Sequence, residues 1–124
     1  MSVLGLHHAG LYVSDLERSI AFYSDAFGLE LAERFAFGAE EIAFLKLGAA
    51  RLELIEASGG QRRAGVVDHV AFEVDDLNAA LERLREHGVV LLDQAPLDVP
   101  ELQARIFFCL GPDAERIELF EYVL

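Results

Sequence analysis

The stretch Arg116–Glu121, which reads Arg-Ile-Glu-Leu-Phe-Glu, has nearly the same sequence as Arg51–Glu56, which reads Arg-Leu-Glu-Leu-Ile-Glu. The similarity is longer than these six residues, because His8–Leu16 and His69–Leu77 both begin with histidine and both end in Asp-Leu. A segment that recurs with the same internal order indicates one supersecondary unit present twice. The sequence therefore predicts two copies of one unit within a single domain that spans the chain.

Each copy is predicted to begin with a strand that leads into a helix. In the first copy His8–Val13 forms the strand, and Ser14 or Asp15 caps the helix by accepting a backbone N–H. The helix, Leu16–Phe27, carries apolar residues at steps of three and four, which places them on one face, and Gly28 ends it. In the second copy the equivalent strand and helix span 69–74 and 77–87.

Three more strands are predicted after each helix, since apolar or alternating runs there are separated by turn residues. They span 29–37, 42–47 and 51–56 in the first copy and 89–92, 104–110 and 116–123 in the second, with loops at 38–41 and 93–103. A polar linker, 57–65, separates a first module of about 6–57 from a second of about 67–124. The predicted fold class is α+β, with two tandem β-α-β-β-β modules. Each mixed or antiparallel sheet has one face under its helix and one face free to form a cleft.

Composition limits the classes of function. A formal net charge of −12 opposes nucleic acid binding, which needs basic side chains to neutralise phosphate. The chain has no run of about 18 uncharged apolar residues that could cross a membrane, and its start lacks the layout of a signal peptide. The single cysteine, Cys109, excludes an internal disulfide. We therefore expect a cytoplasmic protein that binds a small molecule.

Strand alternation indicates which side chains share the open faces. If the apolar residues on either side of Glu118 pack under the helix, Glu118 points to the open face, and Glu53 does so in the first copy. The same count places His8 and His69 with the glutamates. Imidazole nitrogen and carboxylate oxygen form a donor set that suits nickel, cobalt, zinc, manganese or iron(II). These four residues are therefore a candidate site for one divalent metal ion.

Two motifs carry a resemblance to a known family. The first runs from His8 to Tyr23 and continues in Phe27-Gly28-Leu29, and the second is Gly111-Pro112-Asp113 before Arg116–Leu119. They resemble the opening and closing motifs of vicinal oxygen chelate proteins, the superfamily of glyoxalase I. The resemblance implies paired β-α-β-β-β modules and a divalent metal. Carried over by position, four residues match the metal ligands of the glyoxalase I type: His8, Glu53, His69 and Glu118.

The resemblance also implies a reaction, a lyase or isomerase step in which the metal chelates neighbouring oxygens of a small carbonyl substrate and stabilises an enediolate. Glu118 is then the candidate base, and Glu40 or Glu41, in the loop before the third strand, is the alternative. Methylmalonyl-CoA epimerase and glyoxalase I both remain open as the nearest activity. The alternative function is a binding protein of the bleomycin resistance kind, which sequesters a compound without chemistry. The full set of four ligands favours the enzyme.

A pocket is expected on the open face beside the metal ligands. A two-residue turn at Gly48-Ala49 would pair Phe44 with Glu53 and Lys46 with Arg51. The predicted substrate-binding residues are Phe44, Phe107 and Cys109 as the lining, and Lys46 and Arg51 at the rim. Arg62 and Arg63 are further candidates for contact with an anion. The two half-sites of two ligands each can meet within one chain or across a two-fold axis, and the resemblance favours a homodimer.

Overall fold

The structure is a computed structural model, which describes residues 1–2, 4, 6–57, 67 and 69–123. The chain divides into two compact units, Met1–Ala64 and Gly65–Leu124, which correspond to the two sequence copies. Most of the predicted linker, including Arg62 and Arg63, lies outside the described residues. Within the described part of the chain, no helix is long and apolar enough to span a membrane.

The first unit has the predicted β-α-β-β-β order. Its elements are β1 (His8–Tyr12), α1 (Leu16–Phe27), β2 (Leu31–Phe37), β3 (Glu40–Leu47) and β4 (Ala50–Ala57). The sheet has the order β1-β4-β3-β2, in which β1 runs parallel to β4 and the other neighbours are antiparallel. The sheet is therefore mixed. The loop predicted at 38–41 is shorter in the structure, because Glu40 and Glu41 already belong to β3.

The second unit repeats this order with one change. Its elements are β5 (Val70–Glu73), α2 (Leu77–Glu86), β6 (Val90–Leu91), β7 (Leu97–Val99), a 3₁₀ helix (Pro100–Leu102), β8 (Ala104–Leu110) and β9 (Arg116–Tyr122). The sequence predicts a loop over 93–103, but the structure has β7 and the 3₁₀ helix there. Pro96 and Pro100 flank β7, and because proline has no backbone N–H to donate, only a three-residue strand fits between them.

The outer edge of the second sheet is interrupted between β6 and β7, both of which pair with β8. Asp93 lies in this gap, where its Oδ2 accepts a hydrogen bond from the backbone N–H of Phe108 at 2.8 Å. The backbone carbonyl of Phe108 accepts a hydrogen bond from Leu92 at 2.9 Å. The backbone N–H and carbonyl groups of Phe108 are therefore both hydrogen-bonded, at the position in β8 where Phe108 stands across from Glu118.

Both helices begin at the repeated Asp-Leu pair. Asp15 caps α1 by accepting a hydrogen bond from the backbone N–H of Arg18 at 3.0 Å, and Asp76 caps α2 through Ala79 at 3.1 Å. Gly28 adopts the left-handed conformation at the end of α1, with a φ of 70°, which glycine reaches without steric cost. The helix bounds therefore follow from local sequence signals.

Each helix covers one face of the sheet in its own unit. In the first unit α1 packs on β3 and β4, and in the second α2 packs on β9. The side chains on this covered face are fully buried or nearly so: Leu16, Tyr23, Ala43, Leu45, Leu52 and Leu54 in the first unit, and Leu77, Leu84, Phe107, Ile117 and Leu119 in the second. Because side chains alternate along a strand, Glu53 and Glu118 point to the opposite face, which we call the open face of each sheet.

Candidate functional site

The first unit brings together His8, which begins β1, and Glu53, which lies in the middle of β4. Their side chains approach to 3.6 Å between Nε2 and Oε1, and the Glu53 side chain is 16% exposed. Gly10 is the strand partner of Glu53. A methyl group on Gly10 would lie 2.9 Å from Glu53 Oε1, so the carboxylate lies directly over this glycine. Phe44 stands across from Glu53 on β3, and its ring meets that of His8 edge-on at 5.3 Å.

The second unit contains an equivalent pair, His69 and Glu118. The distance between His69 Nε2 and Glu118 Oε2 is 3.9 Å, and the Glu118 side chain is 13% exposed. Phe108 stands across from Glu118 on β8, and its ring meets that of His69 edge-on at 5.5 Å. Ala71, the strand partner of Glu118, occupies the place that Gly10 has in the first unit. Each unit therefore places one histidine, one glutamate and one phenylalanine on its open face.

The spacing within each pair suits two ligands of one metal ion. At 3.6 and 3.9 Å the nitrogen and oxygen atoms are too far apart for a good hydrogen bond. Two donors that each bind an ion at 2.0–2.2 Å with tetrahedral geometry lie roughly 3.4 Å apart. The first pair, at 3.6 Å, nearly matches this spacing, and the second, at 3.9 Å, exceeds it by about half an ångström. Among the described residues, no group of three or more histidine, cysteine or acidic side chains is arranged to hold an ion. Each pair therefore supplies two donors of types that can bind a divalent ion.

The two alternative bases lie on different sides of the first sheet. Glu41 stands across from Glu56 in β4, on the same side of β3 as the buried Ala43 and Leu45. This side is the covered face, so the structure places Glu41 away from Glu53. Glu40 points to the open face, but it lies at the far end of β3, four residues from Phe44.

The structure also corrects the predicted lining of the second unit. Phe107 pairs with Leu119 and Cys109 with Ile117, and all four side chains are buried on the covered face. Phe108 takes the place that the sequence assigned to Phe107. An error of one residue in the register is enough to assign the wrong side chains to the pocket, because such a shift moves every side chain of the strand to the other face.

Cys109 is a buried thiol under the helix rather than a group on the open face. Burial raises the pKa of this thiol to about 12, and the negative charge of Glu115 adds to the effect. A thiol with such a pKa stays protonated at neutral pH, so it is a poor nucleophile and a poor metal ligand.

The predicted pairing of Phe44 with Glu53 and of Lys46 with Arg51 is confirmed by the register of β3 and β4. A cavity of about 190 Å³ opens beside this pairing, lined by His7, Glu33, Phe44, Ala49 and Arg51. The sequence did not indicate His7 or Glu33. Glu33 follows a bulge in β2, where the register with β3 shifts, so counting along the strand could not place it.

Comparisons with known proteins agree with this architecture. Residues 5–119 match the family model of the Glyoxalase/Bleomycin resistance protein/Dioxygenase superfamily. The chain is 34% identical over 125 residues to lactoylglutathione lyase of Salmonella typhimurium, a match that covers 94% of this chain and 91% of that protein. It is 30% identical over 100 residues to mitochondrial methylmalonyl-CoA epimerase of Bos taurus, covering 72% of this chain and only 57% of that protein.

A solved structure shows the same fold. The crystal structure of a glyoxalase I mutant from Zea mays matches with a TM-score of 0.81 at 26% sequence identity, covering 93% of this chain and 44% of that one.

Proposed function

Because the chain belongs to the Glyoxalase/Bleomycin resistance protein/Dioxygenase superfamily, we propose that it is a metal-dependent lyase or isomerase that acts on a small carbonyl compound. The observation that carries this proposal is the equivalence of the two units. Each one sets a histidine and a glutamate side by side on its open face, at 3.6 and 3.9 Å, against the ring of a phenylalanine.

The residues that would hold the metal are His8, Glu53, His69 and Glu118. Neutral imidazole and carboxylate together suit nickel, cobalt, zinc, manganese or iron(II). When bound, such an ion supplies Lewis acidity, which stabilises the negative charge that develops on a carbonyl oxygen when the neighbouring carbon loses a proton.

Glu118 is the proposed base that takes this proton. Its carboxylate is 13% exposed, so water competes little for its oxygens, and it lies beside His69 on the open face. Phe108 and Phe44 provide apolar surface on the two open faces, which excludes water from a bound substrate. Glu40 is the remaining alternative base, since Glu41 is on the covered face.

The proposed assembly is a homodimer, which the resemblance to glyoxalase I favours over a site within one chain. His8 and Glu53 of one protomer would join His69 and Glu118 of its partner, and a two-fold axis then generates two identical sites. The alternative is that all four ligands come from one chain, and an exchange of subunits distinguishes the two arrangements.

The test uses two double variants, His8→Ala/Glu53→Ala and His69→Ala/Glu118→Ala. Neither variant alone is expected to bind metal tightly. If the site forms between protomers, a mixed dimer has one intact site, so an equal mixture recovers about a quarter of the parental metal content. If the site forms within one chain, the mixture recovers none. A parent protein that binds no divalent ion, measured by elemental analysis after dialysis, would exclude the metal-dependent function altogether.

The competing function is sequestration of a small molecule without chemistry. Exchange of a substrate's carbon-bound proton with deuterated water separates the two. An enzyme exchanges the proton of at least one member of a panel of oxoacids, thioesters and hemithioacetals. Tight binding of panel members with no exchange at any of them would favour sequestration.

A further inference from the structure

Two cations stand across from each other on the open face of the first sheet. Lys46 on β3 is the register partner of Arg51 on β4. Like charges at directly opposed positions of an antiparallel pair destabilise a sheet. Within the described part of the chain, Lys46 forms an ion pair only with Glu30, at 3.6 Å between Nζ and Oε1. The Glu30 side chain is 74% exposed, so this ion pair is weak. A pair of this kind, in a chain with a net charge of −12, needs an explanation.

Arg51 has no acidic partner among the described residues, and its guanidinium donates one hydrogen bond, to the carbonyl of Ala50 at 3.1 Å. Its equivalent in the second unit, Arg116, is held differently. The guanidinium of Arg116 lies over the ring of Phe108 at 4.5 Å. In the first unit, the Phe44 ring instead contacts His8 and Phe35. Arg51 thus keeps hydrogen-bond donors available that the described residues do not use.

Arg51 lines the cavity of about 190 Å³ together with His7, Glu33, Phe44 and Ala49. A cavity of this size holds several water molecules, so it suits a small organic ligand or one end of a larger one. The cavity adjoins the first half-site, because Phe44 stands across from Glu53 and Arg51 is the strand neighbour of His8. A group held by Arg51 would be one or two residue spacings from the histidine and glutamate pair.

We propose that Arg51 binds the carboxylate of a small ligand in this cavity, with Lys46 adding positive charge across the strand pair. The planar guanidinium offers two parallel N–H groups that match the two oxygens of a carboxylate. Glu33 lines the same cavity and opposes a doubly charged anion, which favours a carboxylate over a phosphate group. Together with the proposed function, on which this step rests, the substrate class is a small carbonyl compound that carries a carboxylate.

The test measures ligand binding to the full chain in EDTA, so that a bound ion cannot contribute. Pyruvate, its uncharged amide and inorganic phosphate are titrated while backbone amide signals are followed by NMR. We expect pyruvate to bind and to shift the signals of Arg51 and its neighbours, and the amide to bind at least tenfold more weakly. Arg51→Gln should weaken pyruvate binding by about tenfold or more, because it removes a charged hydrogen-bond donor. Arg51→Lys keeps the charge but not the planar guanidinium, so its affinity for pyruvate should lie between those of the parent and of Arg51→Gln.

Arg116→Gln is the matched control, because it removes the same charge from the equivalent position of the second unit. It should leave pyruvate binding unchanged. The proposal is overturned if Arg51→Gln binds pyruvate as the parent does, or if pyruvate and its amide bind equally. Tighter binding of phosphate than of pyruvate would overturn the carboxylate assignment. The metal content of the parent is measured in parallel, so that failure of the proposed function is seen separately from failure of this site.

Discussion

Glu121 accepts a hydrogen bond from the backbone N–H of Leu77, the first residue of α2, with 2.8 Å between Oε2 and the nitrogen. Its other oxygen, Oε1, accepts a hydrogen bond from Arg105 Nε at 3.2 Å. The first unit has the same contact, in which Glu56 accepts the N–H of Leu16 at the start of α1. The last glutamate of each repeated hexapeptide therefore binds the first turn of the helix, where carboxylates are stabilised by the unpaired N–H groups.

Replacing Glu121 by alanine should destabilise the protein. The variant leaves the N–H of Leu77 without its partner and removes the ion pair with Arg105, so we expect the free energy of unfolding to fall by about 1–3 kcal/mol. Urea unfolding followed by circular dichroism measures the change. Glu73→Ala is the control, since Glu73 is exposed in β5 of the same unit. Equal stability of the two variants would show that the contact with Leu77 contributes nothing.

A second prediction follows from a difference between the two units. Arg105 stands across from the capping Glu121, whereas the same place in the first unit is taken by Glu41, across from Glu56. Glu41→Arg replaces a like-charge pair by an opposite-charge pair, which should raise the free energy of unfolding by about 0.5–1 kcal/mol. The measurement is the shift of the urea midpoint.

Glu40→Arg is the control for this substitution, because it changes the net charge by the same amount but stands across from Ala57. If both variants are stabilised equally, the cause is the lower net charge of the protein and not the pair with Glu56.

Local signals were sufficient to predict the helices and much of the open face. α1 has the predicted bounds because Asp15 and Gly28 act on adjacent backbone groups. Alternation along β4 correctly predicts that Glu53 lies beside His8. The apolar residues of a strand identify its buried face, so the residues between them belong to the open face. Local signals do not reveal the role of Glu56, because its partner Leu16 is 40 residues away in the sequence.

The error at Phe107 has a specific cause. The two hairpins differ in length, because Leu47 pairs with Ala50 in the first, whereas Leu110 pairs with Arg116 in the second. The longer second connection moves the equivalent of Phe44 from Phe107 to Phe108. The alternation of side chains along a strand does not reveal the length of the connection between two strands. The register of β8 and β9 is therefore known only from the structure.

The buried thiol of Cys109 should make stability fall at alkaline pH. In the unfolded chain the thiol loses its proton near its usual pKa of 9.0, whereas in the folded chain its pKa is about 12. Between these values the unfolded state binds fewer protons, so rising pH favours unfolding by about 1.4 kcal/mol per pH unit. Cys109→Ala should lack this component, which the difference between the two pH profiles from 9 to 11 measures. Parallel profiles would contradict the raised pKa.

Gly10 should be required for the position of Glu53. In Gly10→Ala the new methyl group would lie 2.9 Å from Glu53 Oε1, so the carboxylate must move away from its place beside His8. We expect the affinity for the proposed divalent ion to fall by about tenfold, as for other changes that disturb the orientation of a ligand. Calorimetric titration with zinc or nickel measures it.

Ala71→Gly is the matched change in the second unit, where it only removes a methyl group next to Glu118. It should leave metal affinity unchanged. An unaltered affinity in Gly10→Ala, with its fold intact by circular dichroism, would mean that Glu53 tolerates the displacement or is not a ligand.

The last prediction distinguishes an enzyme from a binding protein through Glu118. Glu118→Gln keeps the volume and one oxygen donor of this side chain but removes its charge and basicity. Loss of a positioned base typically lowers the rate by about 10² to 10⁴-fold. We therefore expect the variant, resaturated with metal, to bind the substrate but to lose nearly all exchange of the substrate's carbon-bound proton.

Glu73→Gln is the control, because it removes a carboxylate two residues from Ala71 on the same side of β5 and leaves the proposed ligands in place. It should exchange the proton at the parental rate. Exchange by Glu118→Gln as fast as the parent would show that Glu118 is not the base, and Glu40→Gln would then be the next variant to measure.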